Sequence, residues 1–147
     1  NVTVKDITIT GGECNHQLEV VAIKNFRVED CTFKNMSATE KASVSKREAL
    51  QFDIASHESI YPDIVMDGTM MQDVVVTGCT FDNVSRGMGS HSLLLNAYHD
   101  NIKITNNTFK NIEQEAITAL NYTNVEISGV VVYFVGSGIL YQFSMGV

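Results

Sequence analysis

Glu19, Asp53 and His91 fall in one recurring segment of a repeating sequence, Asp53 and His91 in one column and Glu19 in the column beside it, and a pair of carboxyls is what hydrolysis of a glycosidic bond requires. One carboxyl protonates the leaving oxygen while the other activates water or attacks carbon. An imidazole, which titrates near neutrality, can hold that carboxylate or donate a proton itself. His16, Glu48, Gln51 and Arg86 lie in or beside the same recurring segment. A nearby insertion adds Tyr61, Asp63 and Asp67, with Tyr61 suited to stacking on a sugar ring. Glu19, Asp53 and His91 are therefore the expected catalytic residues, and His16, Glu48, Gln51, Arg86, Tyr61, Asp63 and Asp67 the expected substrate-binding ones. Asp63 or Asp67 could replace either acid. A polysaccharide lyase or epimerase would use the same residues differently, with Asp53, Asp63 and Asp67 around Ca²⁺ and Arg86 near the substrate's α-proton. Otherwise no metal or cofactor is expected. A noncatalytic glycan-binding or adhesin module would need only aromatic platforms and hydrogen-bonding side chains.

These residues meet only if the chain coils, and its internal self-similarity says that it does. Segments starting at Asn1, Asn25, Asp73, Asn101 and Asn124 align without internal gaps, and the starts differ by 24, 48, 28 and 23 residues. The 48-residue interval reads as one enlarged turn carrying insertions at about 37–47 and 55–71, because a second recurring segment follows each start. Apolar residues alternate within each segment, as in Val2/Val4, Phe26/Val28, Val74/Val76, Ile102/Ile104 and Val125/Ile127. That is strand period, and a polar or glycine corner resets it. A right-handed parallel β-helix of about five coils accommodates the pattern as one segment over residues 1–147, with the chain reading as a piece of a longer solenoid.

Stacking then fixes the columns. Ile9, Phe33, Phe81, Phe109 and Val132 form an inward ladder, and Asp30, Gly78, Asn106 and Gly129 share a corner that tolerates left-handed backbone. In the second recurring strand Leu18, Leu50, Met88, Ile117 and Ile139 point inward, so Glu19, Gln51, Asp53 and His91 point to solvent. One strand spacing of about 4.8 Å and two residues along a strand put the Cα atoms of Glu19 and Asp53 on the order of 8 Å apart. That suits the roughly 6.5–9.5 Å carboxyl spacing of inverting glycosidases. The two insertions flank the strand from Glu48 to Ile54 and would wall a groove around it. Glu48 and Arg86 also suit a simple ion pair that registers the stack.

Composition bounds the class. Hydrophobic residues make up 44% and charged residues 18%, which favours a packed body. The net charge of −7, with no Lys/Arg run, disfavours nucleic acid. The longest uncharged apolar stretch, Val130 to Val135, is too short for membrane insertion. Cys31 and Cys79 fall at equivalent inward positions and read as stacked buried thiols, while Cys14 has no evident mate. The five Asn-x-Ser/Thr triplets, at Asn1, Asn35, Asn83, Asn106 and Asn121, read as corner asparagines followed by outward hydroxyls.

The unit Asn-Ile-x-Ile-x-Asn-Asn-Thr-Phe-x-Asn-Ile at 101–112 and its sister units resemble the pectate-lyase-like superfamily of bacterial right-handed parallel β-helix proteins. The resemblance covers nearly the whole chain and implies an extracellular or cell-surface protein that acts on or binds a polysaccharide or glycan. The family-28 polygalacturonase blocks are not reproduced, and only Gly89-Ser90-His91-Ser92 is similar to one of them. The expected function is an extracellular carbohydrate-active enzyme, a glycoside hydrolase with paired carboxylates in a groove.

Overall fold

The computed structural model describes residues 1–12, 16–36, 47–55, 67–90 and 94–142. It is all-β among these residues, with every strand pairing parallel. In chain order the strands are β1 (Val2–Lys5), β2 (Thr8–Thr10), β3 (Leu18–Val21), β4 (Lys24–Glu29), β5 (Thr32–Lys34) and β6 (Glu48–Asp53). There follow β7 (Gln72–Thr77), β8 (Thr80–Val84), β9 (Arg86–Gly89), β10 (His99–Thr105), β11 (Thr108–Leu120), β12 (Tyr122–Ser128) and β13 (Val131–Gln142).

One sheet runs β1-β4-β7-β10-β12. The other runs β2-β5-β8-β11-β9-β6-β3, with β13 also pairing β11. Because β11 pairs β8 through residues 108–112 and β9 through residues 117–118, it bends from one face of the molecule to the next and curls this sheet. The result is a β-helix-like solenoid. Each crossover joins strands that are not neighbours in the sheet, as the gapless repeat requires.

Left-handed backbone makes the corners. Asp30, Gly78, Asn106 and Gly129 have φ of 52°, 69°, 57° and 62°, as expected from the sequence. Asn25, Asp73, Asn101 and Asn124 form a second such column, at 55°, 54°, 53° and 51°. Asn and Asp adopt this region most readily after glycine because the short polar side chain bonds locally. Here it bonds to the adjacent coil: the Asn101 amide donates to Asp73 at 2.7 Å and the Asn124 amide to Asp100 at 2.6 Å. Four of the Asn-x-Ser/Thr asparagines, Asn35, Asn83, Asn106 and Asn121, also have positive φ, Asn83 within β8 and the other three between strands.

Ile9, Phe33, Phe81, Phe109 and Val132 stack in register, with the three phenylalanines fully buried, Ile9 partly buried and Val132, in the last strand, exposed at 38% rather than inside as expected. The rings of Phe33 and Phe81 lie 4.9 Å apart, and those of Phe81 and Phe109 4.7 Å apart, stacked and nearly parallel. Cys31 and Cys79 are buried free thiols on adjacent coils. Burial pushes the Cys79 thiol up to about 12, so it is an inert packing group at neutral pH. Asn107 takes the same position one coil on and is satisfied there: its carbonyl accepts from the Cys79 N–H at 2.8 Å and its amide donates to Val76 at 2.9 Å.

Candidate functional site

The strand that was expected to carry chemistry is β6, and its neighbours are β3 on one side and β9 on the other. The register places Leu18 on Leu50, Glu19 on Gln51, Val20 on Phe52 and Val21 on Asp53, so Glu19 and Asp53 are diagonal neighbours as the repeat predicts. Exposure departs from the expectation. Period-2 alternation predicts Gln51 and Asp53 in water, yet every residue of β6 is buried, Gln51 and Asp53 at 1% and 2% exposure. Alternation gives the direction of a side chain but not whether something lies over it. Glu19 does remain exposed.

Asp53 is held by structure. Its Oδ1 accepts the N–H of Ile54 at 2.8 Å, and its charge is felt by His99. His99 opens β10 and is fully buried, with Nδ1 accepting the Met71 N–H at 3.1 Å, which leaves the proton on Nε2. Its ring meets Tyr122 edge-on at 5.1 Å. Burial drives the His99 pKa down to about 4, against the opposing charge of Asp53. Sequence reasoning overlooked His99 because the alternation of β10 is read from Ile102 and Ile104. The left-handed Asn101 resets the phase before them.

The remaining expected residues divide. Glu48, expected at the mouth of the strand, is fully buried at the centre of an ionic stack. His16 donates from Nδ1 to the Glu48 carbonyl at 2.7 Å and lies 3.7 Å from its carboxylate, Arg86 approaches that carboxylate at 3.8 Å, and Arg86 Nε bonds Glu115 at 2.5 Å. Charge thus alternates through coils that pair Glu48 with Arg86 in register, the registering role the sequence allowed. Asp67 is exposed, and its Oδ1 accepts from both the N–H and the hydroxyl of Thr69, which hold it below the usual carboxylate range. His91, Tyr61 and Asp63 lie outside the described residues. Among the described residues no group of His, Cys, Asp and Glu is placed to hold a metal ion.

Gly89, part of the tetrapeptide similar to a polygalacturonase block, has a packing role. A Cβ there would lie 2.1 Å from the Thr118 carbonyl oxygen, and its φ is +139°. A Cβ at Gly87 would lie 2.2 Å from the Ala116 carbonyl oxygen and 2.6 Å from the Phe109 ring. The two glycines let β9 approach β11. Gly89→Ala is expected to lower stability by about 1–3 kcal/mol, the usual cost of overpacking, in a thermal melt.

A second feature lies on the outer face of the first sheet. There a groove of about 250 Å³ is lined by Asn1, Thr3, Asn25, Arg27, Asp73, Val75, Asn101 and Lys103. Thr3, Arg27, Val75 and Lys103 occupy one row in register, and Asn25, Asp73 and Asn101 the left-handed corner row beside it. The trough therefore crosses the strands, along the solenoid. The signal was present in the gapless alignment, where Thr3, Arg27, Val75 and Lys103 share a column, but their side-chain types suggested only ordinary surface.

No family model matches the chain. It is 22% identical over 139 residues to the plasmin and fibronectin-binding protein A of Streptococcus pneumoniae, covering 88% of this chain and 19% of that protein. Among solved structures it is similar to PfbA, a surface adhesin of Streptococcus pneumoniae, with a TM-score of 0.78 at 22% identity, over 90% of this chain and 31% of that one. The structural likeness is one of fold. The chain spans about a fifth of the curated relative and under a third of the solved chain.

Proposed function

We propose that this chain is a segment of a cell-surface adhesin, a right-handed β-helix that displays a noncatalytic protein-binding face. The observation that carries this reading is the likeness, over nearly the whole chain, to a surface protein named for binding plasmin and fibronectin. The condition of the expected acids supports it. A glycosidase needs two carboxyls open to the scissile bond, whereas only Glu19 of the pair is exposed and Asp53 is buried and accepts the Ile54 N–H. Glu48, Arg86 and Glu115 serve one another as an ionic stack, and His16 is hydrogen-bonded to the Glu48 carbonyl. A rigid solenoid suits adhesion because recognition by its outer faces needs no moving parts and little ordering on binding.

The test is surface plasmon resonance with plasmin and fibronectin passed over the immobilised chain, alongside a reducing-sugar assay on a polysaccharide panel. Saturable protein binding, undiminished by Glu19→Gln or Asp53→Asn, is expected, with no sugar released. Release of reducing ends that either substitution abolishes would return the paired-carboxylate hydrolase to first place.

A further inference from the structure

We propose that the groove on the first sheet binds an extended acidic protein segment, with carboxylates on Arg27 and Lys103 and an apolar residue between them on Val75. This names the partner chemistry of the adhesive reading and rests on it.

The geometry supplies the spacing. Arg27, Val75 and Lys103 follow one another in register, so the two cations stand roughly 10 Å apart at Cα, with a short apolar side chain between. An extended peptide laid along the groove presents alternate residues to it about 7 Å apart. An acidic–apolar–acidic set at alternate positions then puts the apolar residue over Val75. Its carboxylates fall about 2 Å outside the Cα atoms of Arg27 and Lys103, a gap that these long side chains close by leaning outward.

The electrostatics supply the sign. Arg27 gives its Nε–H to Glu29 at 2.6 Å, and among the described residues nothing accepts from its terminal NH₂ groups. That leaves one edge of a planar fork for a carboxylate. Lys103 is half-exposed and holds Glu126 only loosely, at 3.8 Å, a pair that is worth little in water and exchanges readily. The one acid in the groove, Asp73, is occupied: Asn101 donates to one oxygen and Lys24 stands 3.8 Å from the other. The corner amides of Asn25 and Asn101 edge the trough with groups able to meet a peptide backbone. Two cations against one acid line the trough on a chain of net charge −7, and this local excess selects where on the molecule an acidic segment can settle.

The experiment is fluorescence anisotropy on the intact 147-residue chain with a fluorescein-labelled peptide whose core is Glu-Ser-Leu-Ser-Glu. Saturable binding that weakens as salt rises is expected, with about a tenfold loss in the Arg27→Ala, Lys103→Ala double variant and none in Glu19→Gln. A Lys-Ser-Leu-Ser-Lys core should not bind. Absence of saturable binding, equal binding by the double variant, or tighter binding of oligogalacturonate at the same residues would each overturn the assignment. If plasmin and fibronectin still bind the chain in that event, the groove assignment falls and the adhesive reading stands.

Discussion

Phe81→Ala is expected to lower the stability of the chain by about 3–5 kcal/mol, seen as a fall in the urea midpoint with an unchanged slope. Phe81 is fully buried and has an aromatic neighbour on each side, Phe33 at 4.9 Å and Phe109 at 4.7 Å, with the rings within 5° of parallel. Truncation removes both stacking contacts and leaves a ring-sized hole between two flat faces. Collapse cannot fill it, because the backbone spacing is set by parallel ladders at Phe33 and Phe109. Position also matters. In a solenoid each coil contacts only its neighbours, so a weak middle coil uncouples the two halves, whereas loss at an end frays one coil. Ile9, at the end of the ladder and only partly buried, should cost less when truncated to alanine. A Phe81→Ala protein with wild-type stability would mean that the ladder is not the core.

How much of this was legible in the sequence follows from what a repeat can encode. Gapless alignment fixes which residues are vertical neighbours, so the Phe ladder, the stacked thiols, the corner at Asp30 and Gly78, and the pairing of Glu19 with Gln51 could all be read from letter order. Cover over an outward face is a different kind of information. Nothing in the alternation of Glu48 to Asp53 distinguishes a strand facing water from one buried on both sides, and the face expected to be a cleft is closed at Gln51 and Asp53. His99 escaped for a local reason, since one left-handed asparagine changes the phase that alternation depends on. The groove escaped because it is a property of a row: Arg27, Val75 and Lys103 are unremarkable singly and form a spaced set only when three coils are superposed.

The acid limb of stability should be dominated by His99. A histidine whose folded pKa is about 4, against an ordinary value near 6.5, is neutral in the folded chain where the unfolded chain would already be protonated. Between those two values the unfolded state binds more protons, so stability is full above about pH 6.5, falls as pH drops through that window, and levels off below about pH 4. The interval of about 2.5 units corresponds to roughly 3 kcal/mol for this buried group. Asp53 opposes the shift but does not cancel it, because burial is the larger cause. His99→Gln should keep the acceptor for the Met71 N–H, by way of its side-chain carbonyl, while removing the titration. Chemical denaturation of both proteins from pH 7.5 to pH 4 gives the decisive quantity, the difference between their stabilities. That subtraction cancels acid-sensitive groups common to both. The difference should shift steadily in favour of the glutamine variant as pH falls from 6.5. Two parallel curves would show that His99 takes up its proton in the folded chain as readily as in the unfolded one, and the buried, neutral imidazole facing Tyr122 would have to be abandoned.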